Sequence, residues 1–165
     1  MKSSARVVII GGGSLGVSLF YHLAEEGWND VILIEKGELT SGSTWHAAGL
    51  CSNFIGNMTV AKIHNYSIRL YDEILPSQSG NPSVFHKCGS LRVGYSRIEE
   101  EWFRHLLSRS KNVPCEFNII SRDEARDLHP FMNFENARII VNTPNDGHVD
   151  PSSVVMTMSH IATSK

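Results

Sequence analysis

Several features that would narrow a function quickly are missing from this chain. It has three cysteines, Cys51, Cys88 and Cys115, widely spaced and without a C-x-x-C pair, which argues against a disulfide framework and leaves them reduced and unpaired. The eight histidines are scattered rather than set at ligand spacings, which speaks against a zinc site. Neither sign of charge dominates: 15 Lys and Arg stand against 17 Asp and Glu, so no basic surplus marks a nucleic-acid surface. No apolar run is long enough to span a membrane, and there is no internal repeat, low-complexity tract or charged tail. What remains is an ordinary globular composition, 41% hydrophobic over 165 residues, enough for one core within the size of a single domain. The first apolar run begins after Met1, Lys2, Ser3, Ser4 and Ala5, too early for a signal or transit peptide. The expectation is a cytoplasmic protein, or a matrix protein of mitochondria whose presequence has been removed.

The informative stretch is residues 6–50. Arg6, Val7, Val8, Ile9 and Ile10 form a continuous apolar run of the kind a parallel strand buried on both faces needs. It leads directly into Gly11, Gly12, Gly13, Ser14, Leu15 and Gly16, in which Gly11, Gly13 and Gly16 have G-x-G-x-x-G spacing. The first glycine permits a tight turn, the second lets backbone approach a pyrophosphate, and the third lets helix pack on strand. The helix that follows carries Leu15, Leu19 and Leu23 at four-residue spacing, with Phe20 and Ala24 beside them, and Gly27 is placed to cap it. Its N-terminus favours an anion through unpaired N–H groups and the helix dipole. Val31, Ile32, Leu33 and Ile34 make a second strand ending in Glu35, about twenty residues beyond the turn, where a carboxylate accepts the hydroxyls of an adenosine ribose. Strand, turn, helix, strand and acid together point to an adenine dinucleotide. The competing reading is a glycine-rich turn of another α/β unit with Glu35 merely solvated. Glu35 would repel a 2′-phosphate, although Lys36 beside it weakens that argument against NADP.

After Glu35, residues 37–50 turn small and polar, then small and apolar, as in a loop whose backbone passes close to a ligand. Ser43 and Thr44 offer hydroxyls to phosphate oxygens, and Gly49 allows the chain to lie against a flat ring. The run Gly42, Ser43, Thr44, Trp45, His46, Ala47, Ala48, Gly49, Leu50 resembles the flavin-attachment segment of dimethylglycine and sarcosine dehydrogenases, in the D-amino-acid-oxidase-like superfamily of FAD enzymes. That resemblance implies FAD as cofactor and His46 as the residue bonded to the 8α-methyl carbon of the flavin, a role that requires a neutral imidazole with a free lone pair. The plainer alternative is a loop histidine hydrogen-bonded to backbone. Trp45 is expected to pack as a wall of the loop. The cofactor-binding set is therefore Gly11, Gly13, Ser14, Leu15, Gly16, Glu35 and Lys36 on the first unit, with Gly42, Ser43, Thr44, His46, Ala48, Gly49 and Leu50 on the loop.

Beyond the loop, residues 57–75 read as an amphipathic helix with Val60, Ile63, Ser67, Leu70, Tyr71 and Ile74 on one stripe, stopped by Pro76. His64, next to the stripe, reads as a partly buried structural residue. Residues 83–85 and 90–95 alternate as strands, the latter with Leu91, Val93 and Tyr95 on one face. Arg92 faces either a substrate carboxylate or simply solvent. Residues 85–92 also match the resembled family, except that Cys88 stands where proline is usual. A helix over 97–110 buries Ile98, Trp102, Leu106, Phe103 and Leu107, and Ser121 with Glu124 has capping-box spacing for a short helix ended by Pro130. A strand over 137–141, a turn at Asn145, Asp146 and Gly147, and a helix capped by Asp150 with Pro151 in its first turn complete the chain. His148 and Asp150 suggest catalysis only if they are not a turn and a cap.

The expected fold is α/β: a Rossmann-like FAD-binding βαβ unit with the start of an α+β substrate domain, an incomplete version of the D-amino-acid-oxidase-like fold. Residues 1–76 would form the FAD-binding part, 77–149 part of the substrate domain, with the change at 77–82, and 150–165 a helix returning to the FAD domain. The resemblance implies oxidation of an N-methylated amino acid such as dimethylglycine or sarcosine, with tetrahydrofolate as one-carbon acceptor only in a longer protein. It places the catalytic residues beyond Lys165, and the chain is expected to need its continuation or a partner chain to cover apolar surface. A catalytically silent FAD-binding regulatory subunit of the same family and a nicotinamide-dependent dehydrogenase are the alternatives. No nucleic acid or membrane is expected as a partner, and no metal.

Overall fold

The computed structural model describes residues 4–110 and 114–165, so Met1, Lys2 and Ser3 of the expected short leader-free terminus lie outside the described residues. Eight strands and six α-helices are laid down among them in the order β1 Val7–Ile10, α1 Ser14–Glu25, β2 Val31–Ile34, β3 Leu50–Cys51, α2 Met58–Arg69, α3 Leu75–Ser79, β4 Phe85–His86, β5 Ser90–Gly94, α4 Arg97–Ser110, β6 Asn118–Ile119, α5 Arg122–Leu128, β7 Ile139–Thr143, β8 Gly147–Val149 and α6 Pro151–Thr163. A 3-10 turn occupies Thr44–His46, and a π turn, Leu70–Ile74, separates α2 from α3. Packing divides the chain into two compact units. The first comprises Met1–Gly49, Leu70–Phe85 and Val149–Lys165, and the second Leu50–Arg69 and His86–His148.

In the first unit β1 and β2 pair in parallel, Val7 opposite Val31 through Ile10 opposite Ile34, as two β-rich apolar runs joined by a crossover helix require. Gly27 ends α1 as expected, with φ at +79°: its amide donates to the Ala24 carbonyl and that of Trp28 to Leu23, the paired bonds of a Schellman cap. The expected stripe is buried only in part: Phe20 and Ala24 pack against the core of this unit and Leu23 is half-buried. Leu15 is 88% and Leu19 50% exposed, whereas Val17 and Tyr21 are buried against Val154, Val155, Met158 and Ile161 of α6. The helix is apolar on more than one side, and the position of α6 selects the face. Each large side chain so buried contributes about 1.5–3 kcal/mol. The Tyr21 hydroxyl keeps a partner, donating to Gln78 Oε1 at 2.7 Å. Asp150 caps α6, its carboxylate accepting from the Ser153 amide at 2.7 Å, with Pro151 in the first turn as anticipated.

Pro76 does not end the helical run. It sits in the first turn of α3, where a missing N–H costs no intrahelical bond, and the run ends instead at Gly80 in the left-handed conformation, φ +69°. The stripe expected over residues 57–75 holds at Leu70, which is buried, with Tyr71 and Ile74 packed beside it, but is corrected in α2, where Ala61 and Ile68 are buried while Val60 and Ile63 remain exposed. The polar stretch expected at 77–82 is helical in its first part.

The second unit is built on antiparallel sheet. β7 lies between β5 and β6, with Ser90 opposite Thr143 and Asn118 opposite Asn142, and spans Ile139–Thr143 rather than 137–141. The strand expected at 83–85 is confined to Phe85–His86. One face of this sheet packs Phe54, Phe103 and Leu106; the other packs Ala125, Phe134 and Ala137 with the partly buried Leu91 and Val93. In α4, Phe103 and Leu106 are buried, but Ile98 and Trp102 stay exposed, a narrower stripe than expected. The capping box is present in full: Ser121 Oγ receives the Glu124 amide and Glu124 Oε2 receives the Ser121 amide at 2.7 Å. Asp146, expected only in a turn, is a buried hub whose carboxylate accepts from Ser52 Oγ, Ser90 Oγ, the Asn53 amide and Asn53 Nδ2 at 2.6–3.0 Å. Those four donors satisfy the buried carboxylate oxygens.

A Cβ on Gly16 would lie 2.0 Å from the Gly11 carbonyl oxygen, whereas one on Gly42 would meet nothing within 4 Å. Gly16→Ala is therefore expected to lower stability by about 1–3 kcal/mol, and Gly42→Ala to change it by less than about 0.5 kcal/mol, read from urea unfolding midpoints. On the first unit Val8, Ile10 and Ile34 share one uncovered sheet face, Ile10 being 87% exposed. The 165-residue chain alone is expected to self-associate in sedimentation velocity, and Ile10→Lys with Leu15→Lys to reduce that association.

Candidate functional site

The first unit gathers the sequence-selected residues at the C-terminal ends of β1 and β2 and the N-terminus of α1, where open α/β sheets bind their ligands. Gly11 turns the chain with φ +109°, a conformation that favours glycine, and its amide donates to the Ile34 carbonyl at 2.8 Å. Gly13 caps α1 in extended backbone without a side-chain cap, and a Cβ there would come within 3.1 Å of Thr44 Oγ1. That hydroxyl supplies the missing cap from thirty residues away: the Ser14 amide donates to Thr44 Oγ1 at 3.0 Å. The first turn of α1 holds no acidic residue, so no carboxylate competes for the amides of Leu15 and Gly16, which have no i−4 acceptor inside the helix.

Glu35 closes the other side of the turn. Its Oε2 accepts from the Gly12 amide at 2.6 Å and its Oε1 from the Gly37 amide at 3.0 Å. The Gly12 bond, then the Gly37 bond, hold this carboxyl below its ordinary value of 4.5. Gly12 did not stand out in the sequence, although a glycine at a free position of the fingerprint was the available signal. A Cβ there would meet Leu39 Cδ2 at 2.5 Å and Glu35 at 3.1 Å. Lys36 is exposed beside Glu35.

The loop from Gly42 to Gly49 belongs to the same unit. Thr44 is buried, at 8% exposure, while Gly42, Ser43, His46 and Ala48 are exposed. His46 Nδ1 lies 3.2 Å from the Gly42 carbonyl oxygen. A carbonyl only accepts, so Nδ1 carries a proton, and in the neutral ring Nε2 then keeps its lone pair. Trp45 is not a packed wall of the loop; it is 58% exposed and lies over the His46 ring, centroids 3.8 Å apart. Nothing in the adjacency of Trp and His in sequence discloses that stack. Gly49 has φ +70°, and a Cβ there would strike the Val149 carbonyl oxygen at 2.0 Å, a reason for glycine that involves the chain's own backbone. Leu50 begins the second unit and is 77% exposed.

The remaining candidates lie in the second unit. Arg92 is exposed, its Nη2 donating to Ser52 Oγ at 3.0 Å and its guanidinium standing over Phe54. His64 Nδ1 is 3.0 Å from the Ser52 carbonyl oxygen, in keeping with a structural role. His148, exposed on β8 opposite Leu50, has His86 as its ring neighbour at 5.2 Å. Burial pushes the Cys51 thiol up and that of Cys115 to about 12, so neither is a ready thiolate.

The family model for FAD dependent oxidoreductases, DAO, matches residues 6–165. The chain belongs to this family. Mitochondrial dimethylglycine dehydrogenase of Mus musculus is 41% identical over 158 residues, 96% of this chain and 18% of that protein. Mitochondrial sarcosine dehydrogenase of Homo sapiens is 31% identical over 165 residues, all of this chain and 18% of the relative. The mitochondrial pyruvate dehydrogenase phosphatase regulatory subunit of Mus musculus is 31% identical over 162 residues, 98% and 18% of the two chains. L-proline dehydrogenase from P. horikoshii shares the fold with a TM-score of 0.89 at 22% identity, over 99% of this chain and 43% of that one. The chain thus spans about a fifth of the length of these curated relatives and less than half of that solved chain. The expected D-amino-acid-oxidase-like fold, as part of a larger one, is borne out. No helix among the described residues is long and apolar enough to cross a membrane.

The Glu35 carboxyl holds its proton less tightly folded than unfolded, so its clasp on Gly12 contributes stability above the unfolded carboxyl range and loses it as pH falls through the folded value. The unfolding midpoint of the unaltered protein is expected to exceed that of Glu35→Gln at pH 7 and to converge on it as the pH is taken below the ordinary carboxyl range, measured by denaturant titration.

Proposed function

We propose that this chain is the FAD-cradling N-terminal part of an oxidoreductase that acts on the CH–NH bond of an N-methylated amino acid such as dimethylglycine or sarcosine. The observation that carries the reading is the joining of two features at one helix end: the Glu35-clasped glycine turn and the Thr44–His46 turn, tied together by the Ser14 to Thr44 bond. The cradle suits the cofactor. Gly11 faces open space, the first turn of α1 is free of acids, and Glu35 has lone pairs left on both oxygens for ribose hydroxyls.

In this reading Gly11, Gly13 and the amides of Leu15 and Gly16 receive the pyrophosphate, assisted by the Ser43 and Thr44 hydroxyls, and Glu35 with Lys36 borders the ribose. Gly42, Ala48, Gly49 and Leu50 bring loop backbone toward the ring system. His46 presents Nε2 to the 8α-methyl carbon as the covalent anchor. Bound flavin supplies the two-electron acceptor for the N-methyl C–H bond. Positioning of the substrate, and any transfer of the released carbon to tetrahydrofolate, fall to parts of a longer protein. The mitochondrial relatives support a matrix location.

A catalytically silent regulatory subunit is the second reading, favoured by the likeness to the phosphatase regulatory subunit. The test uses the full-length protein. Flavin is expected to remain with acid-precipitated protein, His46→Ala to release it, and Glu35→Ala to weaken FAD binding about tenfold. Demethylation of dimethylglycine or sarcosine, measured as formaldehyde or as reduction of an artificial acceptor, supports the enzyme. Bound flavin without turnover of any methylated glycine supports the silent subunit, and absence of bound flavin overturns both.

A further inference from the structure

The His46 imidazole is restrained at three places. Its backbone sits in the 3-10 turn, where the His46 amide donates to the Ser43 carbonyl at 3.3 Å and that of Ala47 to Thr44 at 3.2 Å. Its Nδ1 proton is directed at the Gly42 carbonyl oxygen, 3.2 Å away. Its ring face is covered by the Trp45 indole at 3.8 Å between centroids and 31° between planes. The indole itself is not held by burial, since 58% of the residue is exposed. The indole thus stands half in solvent with its ring against the imidazole.

We propose that Trp45 is a positioning residue for His46, stacking on the imidazole so that it stays in the Nδ1–H tautomer with Nε2 open to solvent. A stack of this kind makes up for the turning freedom that an exposed side chain keeps about its χ angles. Without it, the bond to Gly42 alone holds the ring, and the orientation with Nε2 available is one among several. Thr44 completes the mount, because its bond to the Ser14 amide ties the turn that carries both rings to the start of α1.

The inference rests on the reading of His46 as flavin anchor. Attachment forms a bond from Nε2 to the 8α carbon and breaks one methyl C–H bond, its proton passing to solvent. The ring system is left two electrons richer until dioxygen takes them as peroxide. Trp45 contributes to this only by holding the nucleophile.

The experiment mixes flavin-free full-length protein with FAD and follows acid-stable flavin over time, together with total flavin retained on desalting. Unaltered protein is compared with His46→Ala, Trp45→Ala, Trp45→Leu, Trp45→Phe and Trp45→Tyr. Histidine tautomers are read from nitrogen-15 NMR of the flavin-free proteins, the His46 signals being assigned by their loss in His46→Ala. Trp45→Ala and Trp45→Leu are expected to slow attachment about three- to tenfold with total flavin binding unchanged, and the Phe and Tyr variants to restore most of the rate. Attachment at the unaltered rate in both aliphatic variants overturns the proposal, as does a slowing that neither aromatic variant repairs. If the unaltered protein forms no acid-stable flavin, the covalent reading falls separately and the tautomer spectra decide. A mixed His46 tautomer in the aliphatic variants then upholds the positioning role, and an unchanged one overturns it.

Discussion

The bond from the Ser14 amide to the Thr44 hydroxyl is the constraint on which the arrangement of the first unit depends. It satisfies a donor at a helix start that has no side-chain cap of its own, and it fixes a loop thirty residues downstream against that start. The same few ångströms contain the Gly11 turn, whose geometry tolerates no Cβ on Gly16, and the Glu35 clasp on Gly12. Removing any one of these leaves a buried or half-buried backbone donor without an acceptor. That is costly in a unit whose two-stranded sheet has little else to hold its edge.

The local part of this arrangement was legible because each step is governed by short-range chemistry. Apolar runs forecast β1 and β2, glycine spacing forecast the turn, and Gly27, Ser121 with Glu124, and Asp150 with Pro151 forecast helix ends that formed as expected. Long-range choices were not legible. The side of α1 that is buried follows from α6, more than a hundred residues away, so Val17 and Tyr21 took the place of Leu15 and Leu19. Pro76 reads as a helix stop until the π turn before it makes a new first turn in which proline is harmless.

At the candidate site the same division holds. Glu35 and the glycines were visible by spacing, but the partner of Glu35 on the turn, Gly12, was not, since the fingerprint leaves that position free. The tautomer of His46 and the stack of Trp45 on it depend on side-chain torsions within a 3-10 turn, which residue identity alone does not fix. Asp146 looked like a turn former because aspartate before glycine favours turns. Its role as acceptor for Ser52, Asn53 and Ser90 arises only when β3, β5 and β8 converge.

The core of the first unit is assembled from three separate stretches of chain, and in it α1 packs against α6. On a ribosome, therefore, α1 emerges with Val17 and Tyr21 uncovered and waits for the synthesis of the whole intervening second unit before α6 arrives to cover them.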